Sequence, residues 1–422
     1  MLKSNIAWMK KNVPSDLKVW KGMIQDIDWS QVAAKAKLSL QRDKDRITAE
    51  FKEFAAMDTS AKIDWLMNGD RHLGYLYKKD AIAFARREWK GLKSVGYDFV
   101  GWLKIWGGML NMVMKDPMSI MLAVFEYHWF ASYLATPAVV DRSVFGRRGK
   151  LLQADFDMWV AITHWAEDLI ANLIMADAKI GGNEKINKRI IMFDEMTMAQ
   201  MMAGFPNLLG IPYQMIPVFM VSEMDQLTLI PYIDAIESYG LPSDTCPLPT
   251  AECGCAVKDE YPMCGQGFIA SSMPCDGSVM ATSFQDRRFS KFMPSYPLCM
   301  PVRYDDEDTT EMAAADMKDC IHWVEGLTGE TWNWDTYFAT MEKMNECTRL
   351  EMEKWEINKT QYPQLIGSSF ELFRKWNYEM DGGLFPEGLK TQRKICKTMM
   401  ETYEKKLPAY VGGYEKYRAL IW

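Results

Sequence analysis

GFIASSMPCDGSVMATSFQDRRFSKF, residues 267–292, opens on a short apolar run, breaks at Met273-Pro274-Cys275 and resumes as a helix pattern from Gly277. A brief apolar run passing straight into a helix is the strand-to-helix step of an α/β fold. Related steps lie on either side. RIIMF (189–193) is a candidate buried strand, followed by the helix pattern TMAQMMAGFPNLLG (197–210). IPVFM (216–220) is a candidate second strand and LCMPVRY (298–304) a further one. Short apolar strands alternating with helices predict an α/β unit, a parallel sheet with helices on its faces.

The flanking sequence is helical. SQVAAKAKLSLQRDKDRITAEFKEFAAM (30–57) and KKDAIAFARREWKGL (78–92) carry apolar residues at three- and four-residue spacing. RSVFGRRGK (142–150) reads as a basic loop or linker, and LLQADFDMWVAITHWAEDLIANLIMADAKIG (151–181) as a long helix. Beyond residue 306, TTEMAAADMKDCIHWVEGLTG closes on Gly329, and NWDTYFATMEKMNECTRLEMEKWE, SSFELFRKWNYEM and GLKTQRKICKTMMETYEKKL complete a helical tail. At about 100–200 residues per domain, 422 residues divide into two or three units. The pattern changes divide the chain into a helical N-terminal extension (1–150), an α/β unit (151–330) and a helical segment (331–422).

A net charge of −7 without a basic stripe argues against nucleic acid as a partner. The first residues, MLKSNIAWMKKNVPSDLKVW, lack the apolar core of a signal peptide, which points to the cytoplasm. There, nine cysteines, an odd count, are expected as thiols or metal ligands rather than disulfides. Residues 118–140, MSIMLAVFEYHWFASYLATPAVV, are long enough to span a bilayer but include Glu126, His128 and Pro137. A charge at the bilayer centre costs about 3 kcal/mol on insertion scales, so a buried helix is expected instead. The Trp-rich run GWLKIWGGMLNMVM (101–114) leaves a membrane-surface electron carrier as an alternative.

Five of the nine cysteines, Cys246, Cys253, Cys255, Cys264 and Cys275, crowd into residues 246–275 with the spacing C-x6-C-x-C-x8-C-x10-C. A zinc-stabilised interaction module would want repeated close pairs such as C-x2-C, which this spacing does not supply. A nucleophilic cysteine wants a histidine partner, and His72, His128, His164 and His322 form no such signature. Buried inert thiols remain an alternative. An iron–sulfur cluster fits the region better, because its thiolate ligands come from separate loops. Cys246 follows the turn PSDT and Cys275 lies where a strand gives way to a helix. Open parallel sheets place their sites at such strand ends. Cys299, Cys320, Cys347 and Cys396 read as small core residues.

An ordered series of features now becomes informative: RIIMFDEMTMAQMMAGFPNLLGIP, then YGLPSDTC, then GFIASSMPCDGSVMATSFQDRRF, then PLCMPVRYDDED, then ADMKDCIHWVEGLTGETWNWDTYFATMEKMNE. Over residues from about 185 to 422 this series resembles the first half of a subunit of the 2-hydroxyacyl-CoA dehydratase and benzoyl-CoA reductase family. The resemblance implies a flavodoxin-like α/β domain and a [4Fe–4S] cluster. Cys246 and Cys275 match the family's first two ligands, with Cys253, Cys255 and Cys264 as extra ligands or spectators. It implies an ATP-dependent activator as electron donor, an acyl-CoA substrate, and a homologous second subunit or a homodimer. In the family's dehydratases the electron passes to the thioester, giving a ketyl radical that expels the β-proton and hydroxyl; in its aromatic reductases it passes to the ring. Arg287 and Arg288 are candidates for the CoA phosphates, against the reading of a solvated helix face.

The sequence departs from the family at Met196-Thr197-Met198, where a proline and a glutamate near the substrate are usual. Residues 1–150 lie outside the family core. The family's second α/β domain, with a third ligand, is expected to begin about where this sequence ends, so a partner or the extra cysteines would complete the cluster. A non-catalytic partner or assembly protein of the same fold is the alternative.

Overall fold

Four buried residues in a row, Ile190–Phe193, form strand β1 of the computed structural model. The structure describes residues 29–68, 92–134, 150–194, 199–224, 226–242, 244–271, 275–289, 292–299, 306–364 and 386–406. A strand buried on both faces belongs in the middle of a parallel sheet. β1 pairs in parallel with β2 (Leu209–Pro212) on one side and β3 (Gly267–Ser271) on the other. β3 in turn pairs with β4 (Ser295–Leu298), giving the order β2-β1-β3-β4. Pro212 ends one edge strand and Pro297 lies within the other, where a missing N–H is tolerated.

Helices cover both faces, as the sequence predicts. The period-two alternation of a strand divides β1 between two cores. Ile191 and Phe193 join Ile269 and Leu298 against Cys320, Ile321 and Val324 of helix Glu307–Thr328. Ile190 and Met192 join Ile211 and Phe268 on the opposite face, with helices Lys150–Ala176 and Pro247–Val257 above them. That second core runs far beyond the sheet. It takes in Met112 of helix Leu92–Lys115, Ile120 of Pro117–Glu126, Ile357 of Trp334–Asn358, and Ile395 and Met399 of Pro386–Glu404.

Several expected elements are placed differently. IPVFM is not a strand: Met215–Phe219 is a turn of π-helix that continues into helix Met220–Met224. Pro217 has no N–H to give a ladder, and a five-residue apolar run fits a buried helix as readily as a strand. The pattern at 197–210 yields only a 3-10 turn, Ala199–Met202, before β2 begins at Leu209. The fourth strand is Ser295–Leu298, earlier than LCMPVRY, and residues 300–305 lie outside the described residues. So do the expected helices at 78–91 and 368–380, the basic linker 142–149, and Met196-Thr197-Met198.

The apolar stretch 118–140 is interrupted. Helix Pro117–Glu126, capped by Asp116, stops before Tyr127, and a short helix Phe130–Leu134 follows. Among the described residues no helix is long and apolar enough to cross a membrane. Polar side chains dock the stretch onto the α/β unit. Tyr127 donates its hydroxyl proton to buried Asp177, and Trp129 Nε1 donates to the Glu260 carbonyl at 2.9 Å. The His128 backbone N–H reaches the Glu260 carboxylate at 2.8 Å, and Tyr133 donates to the Ile216 carbonyl. Asp177 also accepts from Met263 N–H at 2.7 Å and Lys179 N–H at 3.1 Å, so it ties three segments together.

A second junction joins helices Leu92–Lys115, Lys150–Ala176 and Pro386–Glu404. His164 contacts the Glu387 carboxylate at 3.2 Å through Nδ1 and the Lys104 carbonyl at 3.0 Å through Nε2. The bond to Glu387 raises the His164 pKa, and that to His164 lowers the Glu387 pKa. One turn on, burial pushes the Glu167 carboxyl up to about 8 despite the opposing charges of His164 and Lys115. Its Oε1 is buried without a hydrogen-bond partner.

Replacing Tyr127 by Phe removes a donor from buried Asp177 and is expected to cost about 1–3 kcal/mol in urea unfolding. The Glu167 junction sets a pH dependence. Between the unfolded value of 4.5 and the folded value of about 8, the folded chain holds the extra proton, so stability falls as pH rises through that window. His164 acts in the same direction, because its contribution is lost as pH rises through its raised folded value. Thermal unfolding between about pH 5 and pH 8 should show a falling midpoint, and Glu167→Gln should flatten that fall.

Candidate functional site

The strand order creates a topological switch point. From β1 the chain goes to β2 on one side and later to β3 on the other, so connections leaving the carboxyl ends of β1 and β3 part from each other. Open α/β sheets bind ligands in the crevice formed there. Asp194 follows β1 and Ser271 ends β3, and both are buried. The Asp194 carboxylate accepts from the Ser271 backbone N–H at 2.5 Å and from Ser271 Oγ at 2.9 Å. Neither residue stands out in the sequence, where an Asp after an apolar run looks like the start of an exposed turn.

Cys275 comes four residues after Ser271. Its carbonyl accepts from Val279 N–H at 3.1 Å, which places it at the start of helix Asp276–Phe289. Cys246 occupies the corresponding position on helix Pro247–Val257: its carbonyl accepts from Thr250 N–H at 3.3 Å, and its side chain does not cap the helix. Prolines are tolerated in a first helical turn, whose N–H groups have no intrahelical acceptor. Pro247 and Pro249 therefore start this helix where the sequence suggests a loop.

The two helix starts abut. A Cβ on Gly277 would lie 2.6 Å from Pro249 Cγ and 3.8 Å from Cys275 Sγ, so glycine is what lets them approach. Cys246 is exposed and Cys275 partly so. Unpaired N–H groups and the helix dipole favour anions at such termini, and thiolates or cluster sulfides are anions.

The other three cysteines of the region are buried. Cys253 faces Ile236 and Ala281 in one apolar cluster, whereas Cys255 and Cys264 join the large core, on the other side of helix Pro247–Val257. A close approach of the Tyr232 backbone to Gly254 seals the segment between Cys253 and Cys255. Burial pushes the Cys253 thiol up to about 12 and the Cys264 thiol well above its ordinary value, which disfavours the thiolate a metal needs. Cys320, Cys347 and Cys396 are buried as expected. Cys299 is exposed instead, because β4 ends one residue before it.

A buried polar chain ties helix Asp276–Phe289 to its neighbours. Gln214 Nε2 donates to Gln285 Oε1 at 2.8 Å, and Gln285 Nε2 donates to the Tyr261 hydroxyl at 2.9 Å. Fully buried Glu252, on helix Pro247–Val257, raises the Tyr261 pKa by its charge, after burial and Cys255. Gln285 fixes the rotation of helix Asp276–Phe289 about its axis. Arg287 is exposed on that helix; the side chain of Arg288 lies outside the description.

Whether these residues suit an iron–sulfur cluster is a question of donor chemistry. Two accessible sulfurs at paired helix starts fit two of its ligand positions. Among the described residues no group of three or more His, Cys, Asp or Glu side chains is placed to hold a metal ion. The remaining ligands would have to come from elsewhere.

Residues 226–422 match the family model described as 2-hydroxyglutaryl-CoA dehydratase, D-component. The match begins after β2 and contains both Cys246 and Cys275. It bears out, over those residues, the resemblance to a 2-hydroxyacyl-CoA dehydratase subunit. No curated protein matches the chain.

The burial pattern predicts the order of thiol alkylation in the folded protein. Cys246 and Cys299 should react first and Cys275 next, while Cys253 and Cys264 should react only after denaturation, as read by peptide mass spectrometry.

Proposed function

We propose that this chain is a subunit of an oxygen-sensitive acyl-CoA dehydratase or reductase that holds a [4Fe–4S] cluster through Cys246 and Cys275. One observation carries the reading: two accessible cysteines open two abutting helices beside the sheet's switch point, inside the segment related to a dehydratase component. When bound, the cluster would supply a low-potential electron to a CoA thioester.

The residues of this chain would hold and tune that centre. Cys246 and Cys275 would supply two thiolates, and the N–H groups of the two helix starts would face the sulfurs. Hydrogen bonds to sulfur and solvent exposure are levers on cluster potential, and these helix starts would set both. Helices packed on the back of the site keep Cys253, Cys255 and Cys264 in apolar surroundings, so the reading assigns them no ligand role. Arg287 is available to a CoA phosphate. A second subunit or second copy would complete the ligand set, and an ATP-dependent activator would deliver the electron. All nine cysteines are free thiols, which suits a cytoplasmic, reducing compartment.

The test is iron, sulfide and zinc content with an electronic spectrum, on full-length protein purified without oxygen. About four irons with matching sulfide per site, lost in the Cys246→Ser, Cys275→Ser double variant, is the expected result. Zinc in their place would return the metal-stabilised module. Absence of iron, both alone and after reconstitution with co-expressed neighbouring subunits, would leave a non-catalytic partner or assembly protein.

A further inference from the structure

Helix Leu92–Lys115 carries two apolar faces. One is packed: Ile105 joins Val160 of helix Lys150–Ala176, and Met112 lies in the large core. The other is exposed. Leu92, Phe99, Leu103, Trp106, Leu110 and Met114 are each between 50% and 64% exposed. At 3.6 residues per turn these six fall within about 80° of the helix surface, on the far side from Ile105 and Met112. A helix that is apolar all round is normally covered all round. Monomeric proteins rarely leave a contiguous apolar patch larger than roughly a few hundred Å². The six side chains present roughly 700 Å², close to the roughly 800 Å² each partner gives to a standard interface.

The pattern of the stripe selects its occupant. Phe99, Leu103, Trp106 and Leu110 follow steps of four, three and four, the alternation of a coiled-coil seam. Those steps read the same in either direction. A second copy laid antiparallel therefore meets Phe99 with Leu110 and Leu103 with Trp106, the self-complementarity that a two-fold interface requires. The stripe also has the narrow width of such a seam, whereas a core-facing side spans at least about 100°. Trp106 is held ready for contact. Its ring stacks on Trp102 with 5.6 Å between centroids, and Trp102 packs against Ile105 and Val160. A large aromatic fixed near the centre of a patch is the usual anchor of an interface. A bilayer surface is a poorer match. Helices lying on membranes are rich in Lys and Arg along the polar face, and residues 99–114 include one cation, Lys104.

We infer that helix Leu92–Lys115 is a self-association seam, pairing antiparallel with the same helix of a second copy of this chain. The seam lies outside residues 226–422 and does not depend on the cluster. Sedimentation of the full-length protein, purified alone and examined at micromolar concentration, should give twice the mass of one chain. Leu103→Glu and Trp106→Glu should each raise the dimer dissociation constant by about thirtyfold or more, the loss expected for an anchor residue. Phe292→Glu, at an exposed apolar residue elsewhere, should leave it unchanged. Far-UV circular dichroism checks that the variants fold. If the Glu variants do not fold, the Leu103→Cys, Trp106→Cys double variant decides. Under mild oxidation it should give a covalent dimer whose linked peptides join position 103 of one copy to position 106 of the other.

A parent with the mass of one chain, a dimer that the Glu variants leave intact, or a double variant without that linkage overturns the inference. In a one-chain parent, binding to phosphatidylcholine vesicles would give the stripe to a bilayer surface. Protection of Trp106→Cys from iodoacetamide would give it to another segment of the same chain. Iron content is read separately. A dimer lost in Leu103→Glu, in a parent that takes up no iron, keeps the seam and removes the cluster. Iron in a one-chain parent does the reverse.

Discussion

A strand of four residues with no exposed face constrains everything built around it. Ile190–Phe193 can be buried on both sides only if its backbone groups are matched by a neighbouring strand on each edge, and β2 and β3 meet that demand. Its alternating side chains then need an apolar layer above and another below. Helix Glu307–Thr328 covers one face, and helices Lys150–Ala176 and Pro247–Val257 cover the other. Because the connections leaving β1 and β3 run to opposite sides of the sheet, the pairing also sets where the crevice opens. The candidate site is thus a by-product of the same pairing that stabilises the core.

Legibility followed the physics of each element. RIIMF and GFIASS could be read as strands because continuous apolar runs with polar ends suit a sheet covered on both faces. IPVFM could not be told from a helix, since length and composition leave that choice to tertiary packing. LCMPVRY pointed to the right neighbourhood, but Tyr296 and Leu298 pack inward while Pro297 obscures the pattern between them. Cys246 and Cys275 were legible as residues next to turns. The helix joining Cys246 to Cys255 was not, because two prolines and a glycine look like loop residues unless their place in the first turn or against Tyr232 is known. Asp194, Gln214 and Gln285 left no sequence signal: a buried polar residue is recognisable only once its partner is.

Helices Leu92–Lys115, Pro117–Glu126 and Phe130–Leu134 share hydrophobic contacts with the sheet. Met112, Ile120 and Tyr133 lie in the same core as Ile190 and Met399. Polar bonds add specificity to that packing. Buried Asp177 and half-buried Glu260 each collect donors from segments far apart in sequence, and such satisfied acceptors fix one arrangement where apolar contact alone would allow several. The thiols are divided by the same packing, the enclosed ones kept protonated and the pair at the helix starts left accessible.

Pro297 carries a consequence for assembly. Among the described residues β4 is the outer strand on its side of the sheet, four residues long and short of one N–H donor. A second chain seeking to lengthen the sheet there would meet an incomplete hydrogen-bonding rail, and proline on an outer strand is a recognised guard against such growth. On that side of the sheet a neighbouring chain would meet helices, loops and side-chain surfaces more readily than a free strand edge.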